Sequence, residues 1–539
     1  VTSTWHPTQI DEIGSWRVVG DRLRHWARTD PDRPFLRCGG DWLTFGEFNH
    51  KTDRLASGLA EIGIAKGDRV AVAMPNREEA LLSISALARL GAIQVPINPY
   101  LKGEFLRYQL VDSASKCIIS DEPGLAEVAR LRSGLPDLEH LICVDQSAPA
   151  AAIAFGELLD NDLPCPENHV VARDTLSIMY TSGTTGQPKG CVLSHGYYMS
   201  LPRGWFLSDW YRPDEAIITA LPLFHIAGQG MVLMSCLQGG LRATFLTSFS
   251  ASRFMAECRD AGATAAFGVG PMGMAVLASP PSQADRDHNL RISIFPPMSP
   301  QARDQFRERF GIGVVSQAYG QTECNPITLN PLDAHGSTAG YLGEPAPWLD
   351  LKLVDDDEKA VPDGEPGEIV IRPREPMVMF DGYWNNPAAT VQASRELWHH
   401  TGDLAQRDDH GRLLFFDRKK DAIRCRGENI SCVEVESAIG KHPDISAVAT
   451  HAVPSTLGED DLKAWIITER GVEFTPDELH AFLVAQLPYF AVPRYVQFVD
   501  AFPVNALNRV QKFKLRELGN DDAWDFKKLG MVITKEQRR

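Results

Sequence analysis

Between residues 44 and 120 the chain alternates two apolar periods, and that alternation restricts its fold more than any other feature. "LTFGEFNHKTDRLASGLAEIGI" spaces its apolar residues as a helix does after Thr44. "DRVAVAMPN", from Asp68 to Asn76, is a short unbroken apolar run that ends in a turn, the pattern of a buried strand. "EEALLSISALARLGAIQVPIN" reads as helix, Gly91, then strand. Strands and helices in alternation bury their apolar faces by layering, so the expected class is α/β. The pattern recurs at "TLSIMYTSGTTGQPKG", "DEAIITALPLFHIAGQGMVLMSCLQGG" and "ATAAFGVGPMGMAVLAS".

The texture changes after about residue 340. "LDLKLVDDDEKAVPDGEPGEIVIRP" and "HTGDLAQRDDHGRLLFFDRKKDAI" each read as two strands joined by a polar loop. From about Cys425 short strands alternate with amphipathic helices, and "FTPDELHAFLVAQL" carries a helix start in Thr475 followed by Pro476. The charged "DRKKD", Asp417 to Asp421, follows the apolar "LLFF" and is placed as a hinge. The expected domains are therefore 1–417 and 418–539.

Composition narrows the function classes. The 539 residues are 44% hydrophobic and 23% charged, with a formal net charge of -16. Such a chain repels phosphate backbones, so nucleic acid is not an expected partner. The ten cysteines are scattered without a CxxC pair, so they read as reduced thiols of a cytoplasmic protein. "VTSTWHPTQIDEIG" has no basic stretch leading into an apolar run, and no apolar run approaches the roughly 18 residues of a membrane span.

"YTSGTTGQPKGC", Tyr180 to Cys191, holds three glycines and a single lysine. Glycines let backbone N–H groups converge on an anion, hydroxyls add donors, and Lys189 adds a mobile positive charge. GxxxxGK[ST] is not satisfied, so this is not a Walker A loop. By itself the segment reads equally as a flexible surface loop, although it follows the strand-like "LSIMY", where open α/β sheets place ligands.

Taken with four further motifs, the loop resembles the signature of the adenylate-forming superfamily of acyl-CoA synthetases, luciferases and peptide-synthetase adenylation domains. The others are "LPLFHIAGQ" (Leu221 to Gln229), "AYGQTE" (Ala318 to Glu323), "HTGDL" (His400 to Leu404) and "DRKKDAIRCRGENISCVEVE" (Asp417 to Glu436), in the family's order. The last of these, with the opening region, is most similar to carnitine/crotonobetaine-CoA ligases and neighbouring small-acid ligases. The resemblance implies a large N-terminal α/β domain built of sub-domains and a smaller mobile C-terminal α+β domain. It implies ATP, Mg2+ and CoA as reactants and cofactor, a carboxylic acid as partner, and allows a homodimer.

It also implies roles. Thr181, Ser182, Gly183, Thr184, Thr185, Gly186 and Lys189 contact the β- and γ-phosphates, with Thr184 and Lys189 catalytic. Tyr319 lies against adenine beside Gly320 and Gln321, Thr322 meets the α-phosphate and Glu323 holds Mg2+. Asp403 accepts the ribose hydroxyls and Arg418 reaches the same sugar. Lys420 is the hinge residue and Gly427 lies along pantetheine. His225 gates the acyl and thiol tunnels, and Val269, Gly270 and Met272 line the acyl pocket or belong to the core. Trp205 and Trp210 either face a quaternary ammonium or pack.

Two stretches depart from the family pattern. In "FPVNALNRVQKFKLRE" Arg509 stands where a catalytic lysine is usual and Asn508 replaces a glycine. Arginine keeps the charge but is planar and bulkier. "ISIFPPMSP" puts Pro296 and Pro297 where a small-residue turn would offer N–H donors to adenine. The leading expectation is an ATP-dependent acid–thiol ligase using CoA. The rivals are an enzyme that loads a carrier protein and an ATP-binding protein whose adenylation is impaired at Arg509.

Overall fold

The computed structural model describes residues 9, 12, 14–146, 151–181, 187–296, 298, 300–316, 318–330, 341–355, 357–418, 423–425, 428–430, 432–455, 460–503, 510, 512–531 and 533. The chain forms two compact units. One comprises Val1–Asn98, Gln109–Tyr180 and Gly190–Lys419; the other comprises Pro99–Tyr108, Thr181–Lys189 and Lys420–Arg539.

The larger unit contains two seven-stranded sheets. In one, the strands run in the order Ile153–Ala154, His140–Cys143, Cys117–Ser120, Arg69–Ala73, Ile93–Pro96, Thr175–Thr181 and Lys189–Ser194. The runs "IQVP" and "CIIS" are buried at every residue, which is what a parallel strand covered on both faces requires. Apolar spacing after Thr44 located the helix Phe45–Glu61, and the run ended by Gly91 located Glu78–Leu90. Thr44 and Glu47 form a capping box at the start of Phe45–Glu61. Gly91, at φ +70°, closes Glu78–Leu90 in the left-handed conformation that glycine tolerates.

The other sheet runs Val314–Ser316, Ile292–Ile294, Ala265–Phe267, Ala216–Thr219, Arg242–Phe245, Pro34–Arg37 and Leu43–Thr44. Its strands are parallel except the last pair. The chain passes from Ala216–Thr219 to Arg242–Phe245 on one side, then crosses to Ala265–Phe267 on the other. Such a reversal leaves a crevice at the carboxyl ends of the strands, the usual ligand position of open α/β sheets. A four-stranded antiparallel sheet, Leu349–Val354, Gly367–Pro373, His399–Arg407 and Leu413–Arg418, also belongs to this unit and matches the paired strands expected after residue 340. Phe45, Leu87, Ile119, Leu176, Phe245, Ile294 and Ile369 belong to one apolar core shared by the three sheets.

The smaller unit carries a four-stranded sheet, Ile445–Pro454, Asp460–Thr468, Tyr495–Phe498 and Trp524–Asp525, and the hairpin Ile423–Cys425 with Glu428–Ile430. The helix Pro476–Gln486 begins at Thr475 with a capping box to Glu478, as the sequence indicated. Trp205 and Trp210 are fully buried and stacked on each other at 4.8 Å between ring centroids. Their full burial and mutual stacking support the packing reading, and among the described residues no cation lies over either ring. All ten cysteines are thiols outside any disulfide. Among the described residues no helix is long and apolar enough to cross a membrane.

Candidate active site

Neighbouring parallel strands of the sheet that ends at Val314–Ser316 deliver the candidate residues at one edge. Ala216–Thr219 leads into Leu221–His225, Ala265–Phe267 into Gly268–Met272, Ile292–Ile294 into Phe295 and Pro296, and Val314–Ser316 into Ala318–Glu323. Because the strands are parallel, every one of these loops leaves from a carboxyl end. Residues distant in sequence are therefore brought to the same edge of the sheet.

The loop "YGQTECNPIT" is folded on itself. Gln321 N donates to Cys324 O at 2.8 Å and Cys324 N to Gln321 O at 3.1 Å, while Ile327 N returns to Tyr319 O at 2.9 Å. The Tyr319 hydroxyl then donates to Asp403 Oδ2 at 2.7 Å, and Gln321 Nε2 donates to the same oxygen at 2.8 Å and to Thr401 O at 2.8 Å. Tyr319, Gln321 and Asp403 are thus one cluster, with the carboxylate nearly buried at 7% exposure. Asp403 sits directly opposite Arg418 in the antiparallel pairing of the strands His399–Arg407 and Leu413–Arg418.

The turn that presents Asp403 is braced from behind. Gly402, at φ +73°, donates its N–H to Glu368 Oε1 at 3.1 Å, and Thr401 Oγ1 donates to Ile369 O at 2.7 Å. Glu368 is 3% exposed and its other oxygen lies 3.1 Å from His400 Nδ1. Sequence reasoning singled out Asp403 and missed this brace, because Glu368 is a strand residue some thirty-five positions upstream, visible only as the acid of "GEIVIRP".

Glu323 follows the same loop. Tyr383 Oη donates to Glu323 Oε1 at 2.8 Å and Phe380 N donates to Glu323 O at 2.8 Å. Burial, with the Glu323 charge next, pushes the Tyr383 phenol well above its ordinary pKa, so it stays a donor. Tyr197 Oη reaches Thr322 O at 3.0 Å, and burial raises that phenol too. Neither tyrosine was foreseen; the only trace of Tyr383 was an aromatic pair, "YW", inside a polar loop. Among the described residues no group of three or more His, Cys, Asp or Glu side chains can hold a metal alone. The Glu323 carboxylate offers oxygen, the donor type that suits a hard cation whose remaining ligands are phosphate oxygens and water.

Around Leu221–His225, Leu223 N donates to Asn76 Oδ1 at 2.9 Å, and Gln229 Nε2 donates to Leu223 O at 2.5 Å. These bonds fix the segment that carries His225, whose ring packs on Phe224 at 4.7 Å. Ala227–Leu233 is a π-helical stretch, a rare form frequent at functional sites. Gly228 permits it, since a Cβ there would sit 2.5 Å from Pro222 O. Gly270 N donates to Pro296 O at 3.0 Å, so Pro296 serves through its carbonyl. Val269 and Met272 are partly exposed and Gly270 is buried, at the start of the helix Gly270–Ala278.

In the smaller unit, Thr181 Oγ1 donates to Lys189 O at 3.5 Å, and Tyr108 Oη to Pro188 O at 3.1 Å. Ser182, Gly183, Thr184, Thr185 and Gly186 lie outside the described residues, as do Pro297, Lys420, Gly427 and Arg509.

Tyr319, Gln321 and the buried Asp403 carboxylate are hydrogen-bonded together, and Glu323 follows on the same loop from the carboxyl edge of a parallel sheet, where open α/β folds place their ligands. The chain belongs to the AMP-binding enzyme family: that family's model matches residues 23–384, and the AMP-binding enzyme C-terminal domain matches residues 434–508. It is similar to a feruloyl-CoA synthase of Amycolatopsis sp., with 33% identity over 507 residues covering 94% of this chain and 98% of that protein. It is also similar to a crotonobetaine/carnitine–CoA ligase of Escherichia coli, with 29% identity over 87% of this chain and 92% of that one. Among solved structures, a double mutant of the o-succinylbenzoate CoA synthetase of Bacillus subtilis matches with a TM-score of 0.81 at 25% identity, covering 92% and 98% of the two chains.

Proposed function

We propose that this enzyme is an AMP-forming acid–thiol ligase that activates a carboxylic acid with ATP and passes the acyl group to CoA. The observation that carries the reading is the Tyr319–Gln321–Asp403 cluster beside Glu323, at the edge of the sheet that also presents His225, Val269, Gly270 and Met272. In the first half-reaction the carboxylate oxygen attacks the α-phosphorus and pyrophosphate leaves. In the second the thiolate attacks the acyl carbon and AMP leaves. Both concentrate negative charge, which fixed donors and cations stabilise.

Asp403 accepts the ribose hydroxyls, with Arg418 on the same sugar, and Tyr319 flanks adenine beside Gly320 and Gln321. Thr322 faces the α-phosphate. Mg2+, held through Glu323, neutralises phosphate charge. Thr181 to Gly186 and Lys189 hold the phosphates that depart. Arg509 takes the place of the lysine that bridges carboxylate and phosphate. The domains divide at 417/418, with Lys420 as the hinge and Gly427 along pantetheine.

The acid is proposed to be aromatic or unsaturated and uncharged apart from its carboxylate. The segments 221–226 and 268–272 contain no acidic side chain to pair with an ammonium group, and Trp205 and Trp210 are committed to each other. A relative named feruloyl-CoA synthase agrees with this choice. Acid-dependent exchange of pyrophosphate into ATP, run with hydroxycinnamic acids beside carnitine and crotonobetaine, tests it. Faster exchange with the cationic acids would overturn the assignment. CoA is favoured over a carrier protein on the relatives' names, and cysteines outside any disulfide suit the cytoplasm. Sedimentation reads whether the enzyme is a homodimer.

A further inference from the structure

Tyr180 and Gly190, on the strands Thr175–Thr181 and Lys189–Ser194 that flank the glycine-rich segment, are held by one cluster. Tyr180 Oη donates to Asp112 Oδ2 at 2.6 Å. The Asp112 carbonyl accepts Trp384 Nε1 at 2.9 Å and Asn385 Nδ2 at 3.0 Å. Trp384 N in turn donates to Gly190 O at 2.7 Å, and the pairing continues with Val192 N to Gly382 O and Asp381 N to Val192 O, both at 2.9 Å. Gly190 is required by this closeness, since a Cβ there would lie 2.6 Å from Ile178 Cγ2 and 3.4 Å from Trp384 Cβ.

Tyr383 stands in the middle of that paired segment, bridged to Cys191 and with its N–H on Thr390 Oγ1 at 2.9 Å. Its backbone is therefore fixed to the strand that follows the glycine-rich loop, and its hydroxyl is spent on Glu323 Oε1 at 2.8 Å. We infer that Tyr383 is a positioning residue. It holds the Glu323 carboxylate in the rotamer that receives the divalent cation, and it registers that carboxylate to the stem of the phosphate loop. The inference rests on the proposed function, in which Glu323 is the protein's ligand to Mg2+. Partners that orient a metal ligand are commonly worth about 10–100-fold in metal affinity.

The test is Tyr383→Phe, which keeps the ring and its packing and removes only the hydroxyl. Two readouts are needed: the Mg2+ concentration that half-saturates acid-dependent pyrophosphate release, and Mn2+ binding measured by electron paramagnetic resonance in the presence of a non-hydrolysable ATP analogue. The expected result is about a tenfold weakening in both, with the KM for the acid unchanged. In a Glu323→Gln background the same change should add nothing, because its route to the metal is gone. Mn2+ affinity within twofold of wild type in Tyr383→Phe, or effects of the two substitutions that multiply, would overturn the inference. If Glu323→Gln weakens Mn2+ and Tyr383→Phe does not, the inference fails and the proposed function stands. If the wild-type enzyme binds no Mn2+ with the analogue, the proposed function fails first and the inference with it.

Discussion

Replacing Asp403 by alanine separates a ribose-reading carboxylate from one that merely ties two strands together. The carboxylate is 7% exposed and one of its oxygens accepts both Tyr319 Oη, at 2.7 Å, and Gln321 Nε2, at 2.8 Å. Removing it takes one acceptor from the Tyr319 hydroxyl and from Gln321, which keeps Thr401 O, a loss of about 1–3 kcal/mol in folding stability. A hydrogen bond from a ribose hydroxyl to an ionised carboxylate is worth about 1.5–3 kcal/mol. At about 1.4 kcal/mol per factor of ten, losing one such bond raises the KM for ATP roughly ten- to a hundredfold. The ribose is remote from the reacting atoms, so kcat should fall much less. The assay compares ATP with 2′-deoxy-ATP in acid-dependent pyrophosphate release. Wild type should favour ATP by at least about tenfold, and Asp403→Ala should treat the two nucleotides alike. Undiminished preference for ATP in the variant would refute the assignment of the ribose to Asp403.

Three further outcomes are expected. Arg509→Lys should accelerate pyrophosphate release, since the compact ammonium reaches carboxylate and phosphate together where a planar guanidinium is bulkier; no gain in rate would show that Arg509 does not limit adenylation. Gly190→Ala should cost about 1–3 kcal/mol by overpacking against Ile178, read as a lower denaturation midpoint, and an unchanged midpoint would contradict the close packing of the loop stem. His195 is held down to about 4 from 6.5, chiefly by burial, partly opposed by Asp174. The unfolded chain binds its proton near pH 6.5 and the folded chain near 4, so stability is full above pH 6.5 and falls as pH drops between the two. A loss of about 2 kcal/mol between pH 7 and 5 is expected from this group, and it should disappear in His195→Asn; equal slopes in both proteins would exclude His195 as the cause.

What the sequence made legible follows from how local each signal is. The helix Phe45–Glu61 was visible because its apolar residues recur at helical spacing after Thr44, and "VAVA" because an unbroken apolar run needs cover on both faces. Asp403, Tyr319 and Glu323 stood out through motifs whose residues are adjacent in the chain. Glu368, Tyr383 and Tyr197 did not, because each reaches its partner across a long sequence separation: Tyr383 touches Glu323 sixty positions upstream, and Tyr197 touches Thr322 across 125. A single sequence shows no pairing at that distance. Trp205 and Trp210 were ambiguous for a related reason: composition allows an aromatic side chain to pack or to bind a cation, and only their stacking, with both rings buried, decides. The π-helical stretch Ala227–Leu233 was read simply as a continuation of the apolar pattern, since its distinction lies in hydrogen-bond spacing and not in residue type.

The central claim is that one carboxylic acid is activated at the α-phosphate of ATP and then delivered to CoA. The most direct measurement is the stoichiometry of a complete reaction with purified enzyme, ATP, Mg2+, CoA and the acid that gives the fastest pyrophosphate exchange. The account predicts AMP, pyrophosphate and acyl-CoA in equal amounts, with acyl-CoA absent when ATP is withheld. ADP in place of AMP, no AMP with any acid, or AMP formed at the same multiple-turnover rate without CoA would contradict it.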